Sequence, residues 1–576
     1  MNLEITEEIT EEITWELDAL ASAISSFFER KVKGEQGREL GMLARELVLK
    51  AGVGTSHLIE EEAVAICKHW QTLPAIGPEE GSLPLVKTKD GKLYLRRFFE
   101  YEKQVAQALK YRHSLPPVPA SEALIDFFKT HLADQVDDQQ ALAVGVSLQK
   151  NLFFLTGGPG TGKTRTIVAM LASHLQANPD INIALTAPTG KAAFRLKQSV
   201  LEAIDRMKLE ETICSKLVHS ARSMTLHRLL ESKVGSIDFR RSKGHPLPHD
   251  LVVVDEASMV DLPLMAKLCD AIKDDAKLIL VGDSDQLAPV QGGAVFNGLV
   301  RSSKSNLFPK DELSLLNSFS HFGSEGGEDH ALTGTVVSLS RVHRREGSPS
   351  AAALGDLCDA IRDGKEDSAL AIARDGGKCI RFIDNLDDPL IDLSIHKGFS
   401  TFASSQSPSD ALSSLGKFRI LCAHNQGGYG VLKWNTRAYG LLPLKQSGPQ
   451  PVVVGVNDHT LGLFNGDDGV ILGDRVHFHS EEGTRCIARS RLPQHKQGYA
   501  TTIHRSQGSE FEETMIILPP ADSRLLTREL FYVAVSRAKK AITLVGDEKA
   551  FKTAITQSES SRSGVIDMLL PGSKQK

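Results

Sequence analysis

The stretch Gly157-Gly158-Pro159-Gly160-Thr161-Gly162-Lys163-Thr164 lies directly behind a short apolar run and ahead of a helical pattern. The apolar run, Leu152 to Leu155, is rich in Phe and predicts a buried strand. Beyond the stretch, Ile167, Leu171 and Leu175 recur every four residues, which predicts a helix packed on a sheet. A strand, a glycine-rich turn and a helix in this order are the setting that a phosphate-binding loop requires.

The residue types of this loop suit the phosphates of a nucleoside triphosphate. Glycines let the backbone amides and the helix N-terminus approach phosphate oxygens closely. The Lys163 ammonium would reach the outer phosphates, and the Thr164 hydroxyl would ligate Mg²⁺. We therefore assign nucleotide binding to the whole loop: Gly157, Gly158, Pro159, Gly160, Thr161, Gly162, Lys163 and Thr164. The alternative is an ordinary glycine-rich turn.

Length and composition indicate a multidomain globular protein. The chain has 576 residues, enough for about three to five domains. Its seven cysteines include no Cys-x-x-Cys pair, so we expect a reducing compartment and no zinc or iron–sulfur site. The N-terminus is acidic, unlike a signal peptide, and no apolar run reaches the roughly eighteen residues of a membrane span. We expect a cytoplasmic protein that has no membrane contact.

The formal net charge of −5 disfavours a nucleic-acid binder that relies on bulk positive charge. It leaves open a local groove of polar contacts, which suits a protein that grips and releases a strand repeatedly.

The pattern along the chain predicts three regions. Residues 1–115 look helical, with Leu17, Leu20, Ile24 and Phe27 on one face, and carry no chemical motif, so we expect an accessory or docking domain. The proline-rich stretch Leu115 to Pro119 marks its boundary. Residues 120–335 alternate short apolar runs with helical segments, which predicts a first α/β core with a mostly parallel sheet. Residues 336–576 form a second α/β core.

Three stretches depart from the α/β pattern. Residues 301–335 and Ser404 to Ser414 are rich in Ser or Gly, and we expect loops there. At about 430–495, strand-like pieces joined by turns predict a small all-β insert in the second core, with strands near Val452–Val456, Gly469–Leu472 and Val476–Phe478.

Two carboxylates follow a second apolar run about ninety residues after the loop. The run Leu251 to Val254 predicts a buried strand, and Asp255 and Glu256 come at its carboxyl end, where ligands bind in open α/β sheets. Asp255 would hold Mg²⁺, and Glu256 would orient or deprotonate the attacking water. The alternative for such a pair is a solvated turn. Gln286 follows the next strand, Leu278 to Val281, where its amide would touch the terminal phosphate; by itself it would be a surface amide.

These motifs, in this order, resemble those of superfamily 1 helicases. The matching stretches are Asp255-Glu256, Gly282-Asp283 to Gln286, Ala187 to Ala193, Thr225 to Arg228, His504 to Phe511 and Tyr532 to Ala538. Within the superfamily the chain is most similar to the RecD family, the alpha subunits of exodeoxyribonuclease V. Asn457-Asp458 through Leu463 to Asp467, and the ending Arg562-Ser563-Gly564, strengthen that match over about 120–570; the N-terminal region matches weakly.

The resemblance implies two RecA-like P-loop cores, an SH3-like insert and an ATP- and Mg²⁺-dependent 5′ to 3′ DNA helicase of double-strand break repair and recombination. It places Gln140 at the adenine, and Arg344 and Arg537 where arginines of the second core reach the γ-phosphate. Guanidinium groups suit that task because they stabilise charge spread over phosphoryl oxygens. Arg344 is chosen over its neighbour Arg345, and a solvated basic pair is the alternative.

The resemblance also implies contacts to DNA and to other subunits. Residues in the motifs that touch the strand are Thr189, His227, His504, Ser506 and Gln507. Polar side chains suit sequence-independent binding to phosphate and sugar, although any of them could brace its motif instead. The implied partners are single-stranded DNA, duplex ends, and RecB-like and RecC-like subunits in a heterotrimer.

Two other functions remain open at this point. A subunit whose nucleotide pocket only stabilises an assembly has little need for Glu256, Arg344 or Arg537. An RNA-directed or relaxase-type helicase has a related core, but a relaxase needs a nucleophilic Tyr beside a His cluster. Residues 1–115 offer Tyr94 and Tyr101 without such a cluster.

Overall fold

The computed structural model divides the chain into two compact units. The first unit comprises residues 12–284, 288–342 and 560–576, and the second comprises 285–287 and 343–559. Within these limits the structure describes residues 11–52, 54–207, 209–220, 223–233, 235–287, 293, 295–326, 332–343, 348–442, 448–456, 458, 460–480, 483–558 and 562–569, without the side chains of 11–16 and 220.

The N-terminal region of the first unit contains helices and a small four-stranded sheet of order β1-β4-β3-β2. Its elements are α1 (Glu11–Lys31), α2 (Glu35–Gly52), β1 (His57–Leu58), α3 (Glu60–Ile66), β2 (Ile76–Gly77), β3 (Leu85–Lys87), β4 (Leu93–Leu95) and α4 (Arg96–Ser114). The helical prediction for this region is therefore incomplete, because strands of two or three residues are too short to show an alternating pattern. The predicted apolar face of α1 is also wrong in part: Ala21 and Phe28 are buried, whereas Leu20 and Phe27 are about half exposed.

The rest of the first unit is a six-stranded sheet with helices on its faces. Its elements are α5 (Glu122–His131), α6 (Asp138–Gln149), β5 (Leu152–Gly157), α7 (Lys163–Ala177), β6 (Ile183–Ala187), α8 (Gly190–Arg206), α9 (Glu211–Ser220), β7 (Met224–Thr225), α10 (Leu226–Leu229), β8 (Leu251–Val254), α11 (Leu262–Ala271), β9 (Lys277–Gly282), α12 (Val295–Ser302), β10 (Leu307–Phe308), α13 (Lys310–Leu316), β11 (Ser324–Glu325) and β12 (Val336–Leu339).

The strand order of this sheet is β12-β5-β9-β8-β6-β7, and all its pairs are parallel. Every residue of β5 and of β8 is buried, as expected of strands covered on both faces. The three predicted strands at Leu152 to Leu155, Leu251 to Val254 and Leu278 to Val281 are confirmed as β5, β8 and β9. The loop prediction for 301–335 is wrong in part, since α13, β10 and β11 lie there and Phe308 and Leu316 are buried.

The second unit has its own parallel sheet and an antiparallel one. Its elements are α14 (Pro349–Arg362), α15 (Glu366–Asp375), β13 (Ile380–Ile383), α16 (Pro389–Ala403), α17 (Pro408–Leu415), β14 (Phe418–Cys422), α18 (Val431–Leu441), β15 (Gln450–Val454), β16 (Asp468–Leu472), β17 (Arg475–Ser480), β18 (Gly483–Ala488), β19 (His495–Gln497), β20 (Ala500–Thr502), β21 (Phe511–Ile517), α19 (Arg528–Ser536), β22 (Ala538–Val545) and α20 (Glu548–Thr556).

The parallel sheet of this unit has the order β13-β22-β21-β14-β20, and the antiparallel sheet has the order β18-β17-β16-β15-β19. The antiparallel sheet is the predicted all-β insert, but it occupies residues 450–497 and not 430–495. The first part of the predicted range is the helix α18, which packs beside α16. Buried Arg419 anchors it: the guanidinium in β14 donates to Asp468 and to the Gly498 carbonyl, and stacks on Phe511. The loop expected at Ser404 to Ser414 is largely α17.

A buried carboxylate joins the N-terminal region to α21 (Val565–Leu569) and the residues before it. The Glu102 side chain in α4 accepts hydrogen bonds from Ser56 Oγ at 2.7 Å, Ser563 Oγ at 2.9 Å and Gly564 N at 2.7 Å. A Cβ on Gly564 would lie 2.1 Å from Tyr94 Oη, so only glycine fits there. This contact gives the Arg562-Ser563-Gly564 motif a structural role in the first unit.

Across the described ranges, no helix combines the length and the apolar character needed to cross a membrane. All seven cysteines are free thiols.

The buried Glu102 predicts a pH-dependent effect on stability. Burial raises the pKa of Glu102, so the folded state favours its protonated form, and the carboxylate costs stability as the pH rises through that pKa. Glu102→Gln keeps an accepting oxygen without the charge. We expect it to raise the thermal midpoint by about 2 °C or more at pH 8, and by less at pH 5.

The control is Glu100→Gln, an exposed position on the same helix. Differential scanning calorimetry of both variants against the parent measures the effect. An equal shift at both pH values for Glu102→Gln would show that the buried charge does not limit stability.

Candidate nucleotide-binding and catalytic site

The loop after β5 has the close packing and the backbone shape of a phosphate-binding loop. A Cβ on Gly157 would lie 2.7 Å from Thr161 Oγ1 and 3.0 Å from the Leu339 carbonyl oxygen, so the loop passes too close for a side chain. Gly160 and Gly162 have φ of +80° and +86°, which favours glycine. Gly162 is also the N-cap of α7, so the helix N-terminus faces the loop.

Lys163 lies at the first position of α7 and points back over the loop. Its Nζ donates to the carbonyl oxygens of Gly157 at 2.6 Å and Gly158 at 3.1 Å. The ammonium is therefore held at the loop that the motif assigns to phosphates. Thr164, the next residue, is partly buried at the same helix end.

Gln140 braces the loop from the side of α6. Its Nε2 donates to the Thr161 carbonyl at 3.3 Å, and its Oε1 accepts from Asp137 N at 3.2 Å as part of a capping box. Thr161 in turn donates from Oγ1 to the Gly158 carbonyl at 2.9 Å. The contact of Gln140 with adenine stays a prediction; its contact with the loop is a role that the sequence analysis missed.

Asp255 and Glu256 follow β8 at the carboxyl edge of the sheet, as predicted. Asp255 N donates to the Thr186 carbonyl, and Glu256 N donates to Asp255 Oδ1 at 2.9 Å. Burial raises the pKa of Asp255, as does the charge of Glu256, while the charge of Lys163 opposes the rise. The charge of Lys163 therefore acts on Asp255, the first of the two acids.

Glu256 has a backbone conformation that few residues of its type adopt. Its φ of +52° and ψ of +38° lie in the left-handed region, at a cost of about 1 kcal/mol or more. Strain of this kind collects at functional sites, where the surrounding structure imposes it. The conformation belongs to a tight turn between β8 and the short helix Ala257–Met259.

Two of the remaining predicted catalytic residues, Gln286 and Arg537, belong to the second unit. Gln286, on the segment after β9, is buried there. Arg537 at the end of α19 is buried, and its guanidinium donates to the Val533 and Ser509 carbonyls and to Ser536 Oγ at 3.1–3.2 Å. Arg344 lies outside the described residues. The contacts of all three with phosphate stay predictions.

The predicted DNA-contacting residues of the first unit differ in exposure. Thr189 is the N-cap of α8 and accepts from Ala192 N at 3.2 Å, so its hydroxyl braces the motif. His227 in α10 is exposed, with its ring 5.7 Å from the Phe239 ring. Its exposure leaves the His227 side chain accessible to a strand.

In the second unit the predicted contacts lie around a short helical turn, His504–Ser506. Ser506 is buried and donates to the Ile503 carbonyl at 2.6 Å, which fits a bracing role. Burial lowers the pKa of His504 to about 4, so its ring is neutral near pH 7. Gln507 is partly exposed, and Arg505, which the sequence analysis passed over, is exposed in the centre of the motif. Its charge was the signal that could have identified it.

The motif order and the site geometry agree with comparisons with known proteins. The model of an AAA domain matches residues 140–292, and that of the UvrD-like helicase C-terminal domain matches residues 497–545. The RecBCD enzyme subunit RecD of Mycobacterium tuberculosis is 37% identical over 526 residues, covering 86% of this chain and 83% of that protein. The chain belongs to the RecD family.

Further relatives include another RecD protein and a DNA helicase. RecD of Haemophilus influenzae is 32% identical, covering 75% of this chain and 72% of its own. The ATP-dependent RecD2 DNA helicase of Deinococcus radiodurans is 25% identical, covering 83% and 58%. Among solved structures, Bacteroides Pif1 bound to single-stranded DNA is 19% identical, with a TM-score of 0.40 over 73% of this chain and 94% of that one. Membership of the RecD family, together with the matched AAA and UvrD-like helicase domains, identifies this chain as an ATP-dependent DNA helicase of recombination and repair.

The shape of the loop predicts the effect of a single methyl group. Gly162→Ala puts a Cβ at a φ of +86° beside the phosphate position, so we expect the dissociation constant of a fluorescent ATP analogue to rise about tenfold or more. Gly235→Ala is the control: its φ is +74°, but its Cβ would meet nothing within 4 Å. Titration of both variants tests the assignment, which unchanged affinity in Gly162→Ala would contradict.

Proposed function

We propose that this RecD family member moves 5′ to 3′ along single-stranded DNA, in a heterotrimer with RecB-like and RecC-like subunits that acts on duplex ends in the cytoplasm. Its family membership supports the partners, because the relatives at 32–37% identity are named as RecBCD subunits. The observation that carries the motor function is the Lys163 ammonium held over the phosphate-binding loop, in the same sheet whose strand β8 leads into Asp255 and Glu256, so that one core supplies a phosphate-binding cation and a water-activating acid.

The residues present fit ATP and Mg²⁺. The loop offers backbone amides at a helix N-terminus and the Lys163 ammonium, both complementary to phosphate. Thr164 and Asp255 offer hydroxyl and carboxylate oxygens, the ligands that Mg²⁺ prefers. When bound, Mg²⁺ neutralises charge on the phosphates. Gln140 would read the adenine from its place beside Thr161.

Hydrolysis is assigned to side chains that surround the terminal phosphate. Glu256 orients the attacking water and accepts its proton, in a backbone conformation that the turn after β8 imposes. Gln286 touches the terminal phosphate. Arg344 and Arg537 stabilise charge on the phosphoryl oxygens, a contribution on the order of 10³ or more in turnover. Arg537 would exchange neutral carbonyl partners for a charged oxygen, which makes a stronger hydrogen bond.

Polar side chains would hold the strand without reading its sequence. His227, His504 and Gln507 have exposed or partly exposed side chains that suit phosphate and sugar contacts. Thr189 and Ser506 would position these motifs while contacting the strand through their backbone or through a rearranged hydroxyl. Repeated weak contacts of this type allow the strand to be released at each step.

Two substitutions test the motor directly. Lys163→Ala removes the phosphate-binding cation, so we expect it to abolish ATP hydrolysis stimulated by single-stranded DNA. Glu256→Gln keeps the size and polarity of the side chain without the base, so we expect ATP binding with turnover reduced at least about a hundredfold. Steady-state ATPase assays with and without DNA measure both.

Near-parent turnover in either variant would contradict the assignment. A parent protein that consumes ATP at one rate with and without DNA would favour the alternative, a nucleotide-binding structural subunit of a DNA-repair assembly.

Co-purification and unwinding assays test the partners and the polarity. We expect the tagged chain to recover RecB-like and RecC-like proteins from its host, and the purified chain to unwind duplexes with 5′ overhangs in preference to those with 3′ overhangs. Preference for 3′ overhangs would overturn the proposed direction.

A further inference from the structure

The turn that carries Glu256 is closed mainly by its own backbone. The Met259 amide donates to the Glu256 carbonyl at 2.9 Å, and the Val260 amide donates to the Ala257 carbonyl at 3.1 Å. Ser258 is 1% exposed, and its Oγ makes no hydrogen bond to any residue that the structure describes. The left-handed conformation of Glu256 therefore needs support from residues that pack against the turn.

A phenylalanine of α12 lies beside this turn. Phe296 is 1% exposed, and α12 contacts the short helix Ala257–Met259. A Cβ on Gly282, the last residue of β9, would lie 2.9 Å from Phe296 Cε1, 3.0 Å from its Cζ and 3.1 Å from Ser258 N. The ring edge and the Ser258 amide thus fill the space that a side chain at position 282 would need. Glycine at this position lets the ring and the turn approach the end of β9.

The Phe296 ring is held in place by elements of the first unit. Its centroid lies 6.1 Å from that of Phe154 in β5. Helix α12 also packs closely on α21, because a Cβ on Gly298 would lie 3.3 Å from Ile566 Cδ1. The segment before α21 is bound in turn by Glu102 of α4. The position of α12 at the carboxyl edge of the sheet is therefore fixed by packing on both sides.

We propose that Phe296 is a positioning residue for ATP hydrolysis: its ring, packed against Gly282 beside the turn after β8, fixes the backbone from which the Glu256 carboxylate reaches the attacking water. The inference rests on the proposed role of Glu256. Misplacing a catalytic group by about 1 Å can lower a rate about a hundredfold. Because Phe296 acts on the base and not on the phosphate-binding loop, its loss lowers turnover and leaves ATP affinity nearly unchanged.

Two substitutions change this contact from opposite sides. Phe296→Leu removes the ring atoms nearest to Gly282, so we expect DNA-stimulated kcat to fall about three- to tenfold as the turn loosens. Gly282→Ala keeps an ordinary backbone conformation, but its Cβ meets the ring and the Ser258 amide. We expect its kcat to fall about ten- to a hundredfold. In both variants the KM for ATP and the dissociation constant of a fluorescent ATP analogue should stay within about threefold of the parent.

The double variant tests whether the ring itself is responsible. Leucine lacks the Cε and Cζ atoms that the added Cβ would meet, so Gly282→Ala should cost less than about threefold in the Phe296→Leu background. Two substitutions that acted through separate losses of stability would instead multiply their costs. The recovery is therefore a readout that a general effect on folding does not produce.

A second cycle shows whether the effect passes through Glu256. In single-turnover measurements on Glu256→Gln, Gly282→Ala should add less than about twofold to the loss. Should Gly282→Ala not fold, Phe296→Leu takes its place in this cycle. The control is Phe308→Leu, a fully buried phenylalanine in the two-stranded sheet of β10 and β11. It should lower the thermal midpoint and keep kcat within about twofold of the parent.

All variants are measured in the full chain, alone or in the complex that co-purifies with it. Parent-like kcat in both Phe296→Leu and Gly282→Ala, a raised KM with unchanged kcat, or full multiplication of losses in either cycle would each overturn the inference. A kcat loss in Phe308→Leu equal to that in Phe296→Leu would reassign the effect to general destabilisation. Parent-like turnover in Glu256→Gln itself would refute the proposed role of Glu256, a failure read from a different variant.

Discussion

The chemistry of this protein depends on one electrostatic arrangement at the carboxyl edge of a parallel sheet, where an ammonium lies over the phosphate-binding loop and its charge acts on a buried carboxylate. Lys163 is held by loop carbonyls, and its charge counteracts the burial that raises the pKa of Asp255. Charged groups at this poorly solvated edge need partners of opposite charge, because an unpaired buried charge costs free energy of folding. A polyphosphate and a divalent cation are complementary to this arrangement, which explains why both the loop and the acids are required at the same edge.

The backbone around these charges is shaped before any ligand arrives. Gly160 and Gly162 take left-handed conformations, and Glu256 takes one without being glycine. A flexible loop would have to lose conformational entropy on each cycle, whereas a preformed one has lost it on folding. The rigid sheet beneath, with β5 and β8 buried along their whole length, supplies the packing energy that maintains the strain.

Polar side chains connect this rigid sheet to the segments at its margins. Gln140 contacts the loop and Gln139 accepts from the Ser340 amide just after β12, while in the second unit Arg419 attaches the antiparallel insert to the parallel sheet. Each uses a side chain with several donors or acceptors to satisfy backbone groups at a strand end, where the sheet offers none. A helicase must change shape while the strands of its sheets stay paired in the same register. Contacts of this kind hold the strand ends and so help to keep that pairing.

The local sequence by itself determined the phosphate-binding loop, the acids after β8, the main parallel strands and the insert. These features depend on short-range chemistry: glycines where φ is positive, apolar runs where both faces are covered, and polar residues at strand ends. The local sequence did not predict several other features: the short strands β1 to β4, the packed face of α1, and the helices α17 and α18. Strands of two or three residues and serine-rich helices acquire their structure from partners distant in the chain. Only the tertiary structure revealed that Ser506 is buried, that Gln140 braces Thr161 and that Gln139 reaches Ser340 across 201 positions. Side-chain periodicity records which face is buried, but a hydrogen bond depends on which atoms meet, and that is decided by the packing of whole elements.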